Sequence, residues 1–320
     1  MSERDKRKRR TLFSLYAGNL SLYFPHLANV FICPLCLRQF GVKALDGRDP
    51  ELSIAHVFPD SLGGRRVTLA CKACNSTVGH RLEAALAKER DLNEWWAGKR
   101  PLRVRFNNSK SDAALELNFS KDRERIEVKL RAKQTDPHDW KTIIDNPPDN
   151  DDPLRAKLPT PDSESLVLAL IHSAFMLMFS ELGYEYILSE NVDAIRNLLH
   201  GTPPLAQYRN IVAPLPASIR DPKLVADSIN VLIQPDEYKC FLVGVPASPD
   251  SQWTRCVLLP GFWDSGKAAY EKLCANCQPP ERFSAVLMKF CCPVNKRLSD
   301  AKHRHFARAF WDRQFPKTVK

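Results

Sequence analysis

Apolar runs long enough to cross a bilayer are the first thing this 320-residue chain is short of. The most apolar stretch, Leu166 to Phe179, is interrupted by His172 and Ser173 and reads as a buried helix too short to span a membrane. A secretory leader is missing as well. The opening MSERDKRKRRTLFSLYAGNLSLYF sets a basic run before a mildly apolar segment, but Asn19 and serines break that segment and no small-residue cleavage site follows. Without an export signal, the ten cysteines do not read as a disulfide framework, and metal ligation is the better reading. Internal repeats are lacking too. These absences point to a soluble, cytoplasmic protein with no membrane partner.

What is present is ordinary in amount and unusual in sign. Hydrophobic residues make up 44% and charged residues 26%, as in a globular protein, and the length allows two domains or one large domain with a small module. The formal net charge is +10, which points to a polyanionic partner, nucleic acid or an anionic membrane surface. The KRKRR run near the start reads as a flexible arm that touches phosphates.

The fold class expected is α+β, in five stretches. Residues 1–30 hold the basic arm and an aromatic docking segment, and residues 31–90 a cysteine-histidine module. Residues 91–144 hold three antiparallel strands, in which LRVRFNN, AALELNF and RIEVKLRA each alternate apolar and polar positions. Residues 145–162 form an acidic, proline-rich linker around DNPPDNDDP. Residues 163–320 form a larger α+β domain. It has a helix from Ser163, a second ending at Gly201, strands over SINVLIQ, YKCFLVGV, TRCVLLPGF and SAVLMKF, and a basic helical tail whose aromatics dock it to its own core.

The module carries the chemistry. Cys33-Pro-Leu-Cys36 and Cys71-Lys-Ala-Cys74 are two CxxC knuckles, and together they make a four-thiolate, tetrahedral site suited to structural Zn²⁺. Such a site holds together a unit too small for its own core. Between and after the knuckles the order is strand (LSIAHVF), Gly-Gly turn (DSLGGR), strand (VTLAC) and helix (NSTVGHRLEAALAKER). A third pair, Cys274 and Cys277, with Cys291-Cys292 downstream, reads as buried thiols rather than a second zinc site.

Framed by the two pairs, AHVFPDSLGG and LACKACNSTVG resemble the HNH (ββα-metal) endonuclease family, in the zinc-stapled branch with a His-x-x-Pro and Gly-Gly pattern. The resemblance implies a zinc-bound ββα-metal module and a metal-dependent endonuclease that hydrolyses DNA phosphodiester bonds, with RNA an alternative substrate, in a setting of phage defence or a mobile element. It places the general base at His56 and a ligand of the catalytic divalent metal, Mg²⁺ or Mn²⁺, at Asn75. Histidine suits the base role because its ordinary pKa lies near neutrality. In the family the residue before the base is a metal ligand; here it is Ala55, and the bracing Asn of the second strand falls on Thr68. Replacement ligands are His80 or Glu83 on the helix, with Asp60 in the loop a further candidate. On a regular helix Glu83 lies about 80° from Asn75 and His80 about 140°. Arg65, Arg66, Lys72 and Arg81 are the expected nucleic-acid contacts, and target selection would come from the rest of the chain or from a protein partner. Ala55 also leaves open a non-catalytic zinc module that binds nucleic acid or a protein.

Overall fold

The computed structural model describes residues 2–47, 49–64, 66–107, 112–120, 125–131, 161–202, 221–234, 238–246, 254–262, 286–289 and 306–315, with shorter pieces between them. Numbered in chain order, the longer helices are α1 (Glu3–Ser21), α2 (His80–Trp96), α3 (Ser163–Leu182), α4 (Asp193–Leu199) and α5 (Phe306–Gln314). The strands are β1 (Val30–Ile32), β2 (Gln39–Gly41), β3 (Leu52–His56), β4 (Val67–Cys71), β5 (Leu102–Asn107), β6 (Asp112–Ser120), β7 (Arg125–Leu130) and β8 (Ala156–Lys157). They continue with β9 (Val212–Ala213), β10 (Ser228–Gln234), β11 (Cys240–Pro246), β12 (Thr254–Pro260) and β13 (Val286–Lys289). All strand pairing in the named sheets is antiparallel, so the fold is α+β.

The chain divides into two compact units. The first is built from residues 1–86 and 163–320, the second from residues 87–162. The cysteine segment, expected as a module over 31–90, and the α+β region expected over 163–320 share one core. The link is visible at single residues. The Tyr184 hydroxyl accepts from Ile32 N at 2.8 Å and donates to Ile32 O at 2.8 Å, capping the β1 backbone just before the first knuckle. Asn19 accepts from Tyr184 N at 2.8 Å and donates to Leu298 O at 2.7 Å. Gly183 (φ 62°) makes room for it, since a Cβ there would sit 2.3 Å from Asn19 Oδ1.

The basic start is a helix, not a flexible arm. Ser2 Oγ accepts from Asp5 N at 3.1 Å, and Glu3 and Asp5 lie in the first turn, where carboxylates complement the helix dipole. Phe13, Tyr16, Ala17 and Leu20 are buried along α1, and Tyr16 stacks on Phe179 with centroids 4.3 Å apart. Arg9 from the basic run is 3% exposed and donates to Leu52 O at 3.2 Å. Three-to-four spacing of apolar residues thus decides the fate of this segment, and its outer face keeps the remaining charge in water.

α3 is the central element of the first unit. By length and composition it would reach across a bilayer, yet Phe175, Met176, Met178 and Phe179 are all fully buried against the protein's own strands, including β4, β11 and β12. Behind it the five-stranded sheet runs β13-β10-β11-β12-β9. α5 docks as expected from its aromatics: Trp311 is wholly buried, 4.9 Å from Phe241 and 6.1 Å from Phe262 between centroids.

The second unit is a four-stranded sheet in the order β7-β6-β5-β8, with Trp95, Leu102, Val104, Leu115 and Leu117 as its core. Two arginines of this sheet lie beside carboxylates, Arg125 with Glu127 at 3.0 Å and Arg131 with Glu116 at 3.6 Å. The expected 145–162 linker lies largely outside the described residues.

Candidate metal centre and active site

Four cysteines are brought together first. The Sγ atoms of Cys33, Cys36, Cys71 and Cys74 all lie within 4.8 Å of one another, and none is in a disulfide. A tetrahedral Zn²⁺ with Zn–S of about 2.3 Å sets its sulfurs about 3.8 Å apart, and Cys36 and Cys71 stand at 3.7 Å. The knuckles are shaped for this. Leu37 takes φ 59° and donates its N–H to Cys33 O, Cys71 N points at Cys33 Sγ (3.5 Å) and Cys74 N at Cys71 Sγ (3.4 Å). Arg38 Nη2, 3.3 Å from Cys71 Sγ, brings a positive charge to a cluster of thiolates. The Cys36 thiol is pulled down to about 5, first by its hydrogen bond with Cys33 and further by Arg38. Cys71 is pulled down as well, first by its hydrogen bond with Cys33, and Cys33 is pushed up, first by its hydrogen bond with Cys36. The donor set fits a soft-ligand metal site. Among the described residues it is the one cluster of three or more ligands of this kind.

The knuckle backbone is held by the far half of the chain. Arg196 Nε donates to Pro34 O at 3.2 Å, and His200 Nε2 lies 2.9 Å from Leu35 O.

Leaving the first knuckle, the chain forms β3 and β4, paired antiparallel with His56 opposite Val67 and Ala55 opposite Thr68. Between them is a tight loop. Leu62 N donates to Pro59 O at 2.9 Å, Gly63 N to Asp60 O at 2.8 Å and Gly64 N to Pro59 O at 3.2 Å. Gly63 sits at φ 75°, and a Cβ on Gly64 would meet Phe58 O at 2.2 Å, so each glycine has its own reason. After β4 a short helical turn, Lys72–Cys74, and a π-helical turn, Asn75–Gly79, lead into α2.

His56 ends β3, half-buried, and lines a cavity of about 10 Å³ with Val57, Pro59, Leu82, Glu83, Leu86, Ala169, His172 and Ser173. Glu83 therefore shares a cleft with His56. Asn75 fastens the start of the helical segment to the strand: its Nδ2 donates to Ser53 Oγ at 3.0 Å and to Ile54 O at 3.1 Å, and no described residue donates to its Oδ1. Ala55 is 2% exposed. Thr68 is also buried, but it does not reach the loop; its hydroxyl is 2.7 Å from the Tyr16 hydroxyl on α1. That site pushes Tyr16 up to about 12 by burial.

Of the remaining expected residues, Arg66 is ion-paired with Glu181 and lies 3.5 Å from Asp227, and Lys72 is ion-paired with Asp49, so both charges have partners within the protein. Asp60 begins the 3₁₀ turn of the loop and is exposed. Arg65 and the side chains of His80 and Arg81 lie outside the described residues, as do Cys277, Cys291 and Cys292; Cys274 is a half-buried free thiol.

One member of the cleft was not anticipated from sequence. His172 on α3 is 8% exposed, and burial pulls its imidazole down to about 4, so it is neutral at physiological pH. The signal was there: a titratable side chain inside LVLALIHSAFMLMF, a setting in which histidine has no ordinary reason to be.

The local order is thus strand, tight loop, strand and helical segment, with His56 at the end of the first strand and Asn75 at the start of the helical segment. Residues 33–91, under a fifth of the chain, match the HNH endonuclease family. The match carries nuclease chemistry, and with it a nucleic-acid substrate, at the level of the family. No curated protein and no solved structure matches the chain.

Proposed function

We propose that this protein is a metal-dependent endonuclease that hydrolyses DNA phosphodiester bonds, with His56 as general base and Zn²⁺ as the staple held by Cys33, Cys36, Cys71 and Cys74. The observation that carries the reading is the shared cleft of His56 and Glu83, on a strand and a helix that the cysteine cluster and Asn75 lock together. Half-buried at the end of β3, His56 takes the proton from the attacking water as the oxygen closes on phosphorus. A divalent ion bound at such a site supplies charge stabilisation for the phosphate and the departing 3′ oxygen. Asn75 Oδ1 and the Glu83 carboxylate are the described oxygen donors for it, in a family position where Ala55 offers none. The net charge of +10 favours a DNA backbone, and its attraction weakens with salt.

The test is plasmid conversion by zinc-loaded wild type and His56→Ala, each with Mg²⁺, Mn²⁺ or EDTA. Metal-dependent nicking or linearisation is expected from the wild type, with a loss in His56→Ala of at least about a hundredfold. A folded, zinc-loaded wild type that binds DNA and cuts nothing in any metal would overturn the catalytic reading in favour of a binding module, which the alanine at position 55 would then explain.

A further inference from the structure

The cleft beside His56 has a wall that lies far outside the family segment. Ala169, His172 and Ser173 of α3 face the same small cavity as Glu83 of α2 and His56 of β3. His172 is more than nine-tenths buried, and among the described residues neither its side chain nor that of Glu83 has a hydrogen-bond or ion-pair partner. Burying an imidazole in an apolar helix is costly. A Leu or Met would fill the same space with no polar atom left over. The cavity, at about 10 Å³, has room for roughly one water-sized occupant. An imidazole and a carboxylate that line one space of that size from two helices offer a nitrogen and an oxygen donor for one cation.

We propose that His172 is a ligand of the catalytic divalent ion: with Glu83 it supplies the donor that Ala55 cannot, and leaves His56 to act on the water. This rests on the nuclease reading for the word catalytic, but the metal site itself does not. The three side chains are not already drawn to a point as the cysteines are, so binding includes closure of Glu83, half-buried on the surface of α2, toward His172. An imidazole nitrogen in the coordination sphere favours Mn²⁺, Co²⁺ or Ni²⁺ over Mg²⁺, which prefers oxygen donors alone. The ligand set is therefore split between the family segment and α3.

Mn²⁺ added to the zinc-loaded full chain provides the test, read by calorimetric titration and by spin-echo modulation from nitrogen bound directly to the ion. The wild type is expected to bind one Mn²⁺ with nitrogen coupling. His172→Gln should lose that coupling and bind at least about tenfold more weakly, while His56→Ala keeps the coupling. His172→Asn serves as a second variant, with zinc content and melting used to confirm that each is folded. Absence of nitrogen coupling in the wild type, or unchanged coupling and affinity in either folded variant, overturns the proposal. Plasmid cleavage alongside unchanged Mn²⁺ binding in His172→Gln would leave the nuclease reading standing without this one. Nitrogen-coupled Mn²⁺ dependent on His172, with no cleavage at all, would do the reverse.

Discussion

Replacing Gly64 with alanine tests whether the Gly-Gly loop positions His56, the proposed base. The added Cβ would lie 2.2 Å from Phe58 O, 2.8 Å from Phe58 C and 2.9 Å from Pro59 O, all of them backbone atoms that cannot rotate away. Ordinary carbon contacts sit near 3.5 Å, so the loop must open by about 1 Å. Overpacking of that kind costs about 1–3 kcal/mol, and loss of the 3.2 Å bond from Gly64 N to Pro59 O adds about 1 kcal/mol. We expect Gly64→Ala to lower unfolding stability in urea by about 2–4 kcal/mol, the sum of those two effects. Two controls bracket the effect. Gly41 has nothing within 4 Å of a built Cβ, so Gly41→Ala should stay within about 0.5 kcal/mol. Gly63→Ala carries the strain of φ 75°, about 1–2 kcal/mol. Phe58 is two residues past His56, so a displaced loop displaces the proposed base, and misplacement near 1 Å can cost on the order of a hundredfold in rate. Plasmid cleavage should therefore fall further in Gly64→Ala than in Gly63→Ala. Wild-type stability and cleavage in Gly64→Ala would refute the packing argument and the loop's role together.

Thr68→Val and Tyr16→Phe each leave one buried hydroxyl without its partner and should cost about 1–3 kcal/mol apiece; the double variant should cost less than the sum by about 1 kcal/mol, and strict additivity in a double-mutant cycle would deny the 2.7 Å contact any coupling. His172 gives a pH signature in protein free of added divalent metal. Its folded pKa, pulled by burial to about 4 from the ordinary 6.5, lies below the unfolded value, so the unfolded chain binds more protons between those two limits. Stability from this group is complete above pH 6.5 and is lost as pH falls toward 4, by up to about 3 kcal/mol. Urea titrations across pH 4–7 should show that slope in the wild type and not in His172→Gln.

Local patterns were legible and long-range partnerships were not. The alternation in LRVRFNN, AALELNF and RIEVKLRA gave β5, β6 and β7 because a period of two needs no knowledge of the rest of the chain. The same holds for the CxxC spacing and for the apolar helix from Ser163 to Leu182. The start of the chain misled because its charge density outweighed, by eye, the spacing of Phe13, Tyr16, Ala17 and Leu20, which buries one face of α1. The common core of residues 1–86 and 163–320 rests on contacts such as Tyr184 with Ile32 and Asn19 with Leu298, separated by 152 and 279 positions. Nothing in either neighbourhood announces the other. His172 falls between these cases. Its oddity is local, but the cleft that gives it meaning is assembled from β3, α2 and α3.

That assembly has a consequence for the order in which the protein is made. The strand carrying His56 and the helix carrying Glu83 leave the ribosome well ahead of α3, because residues 87–162 are translated in between. At about 5–20 residues per second the delay is several seconds. During it the cleft lacks its α3 wall, the first knuckle lacks the backbone bonds from Arg196 and His200, and Ile32 lacks Tyr184. A growing chain thus carries half of a cleft that has not yet met its other wall, and a transcript truncated before residue 163 would yield a fragment with the family motif but without α3.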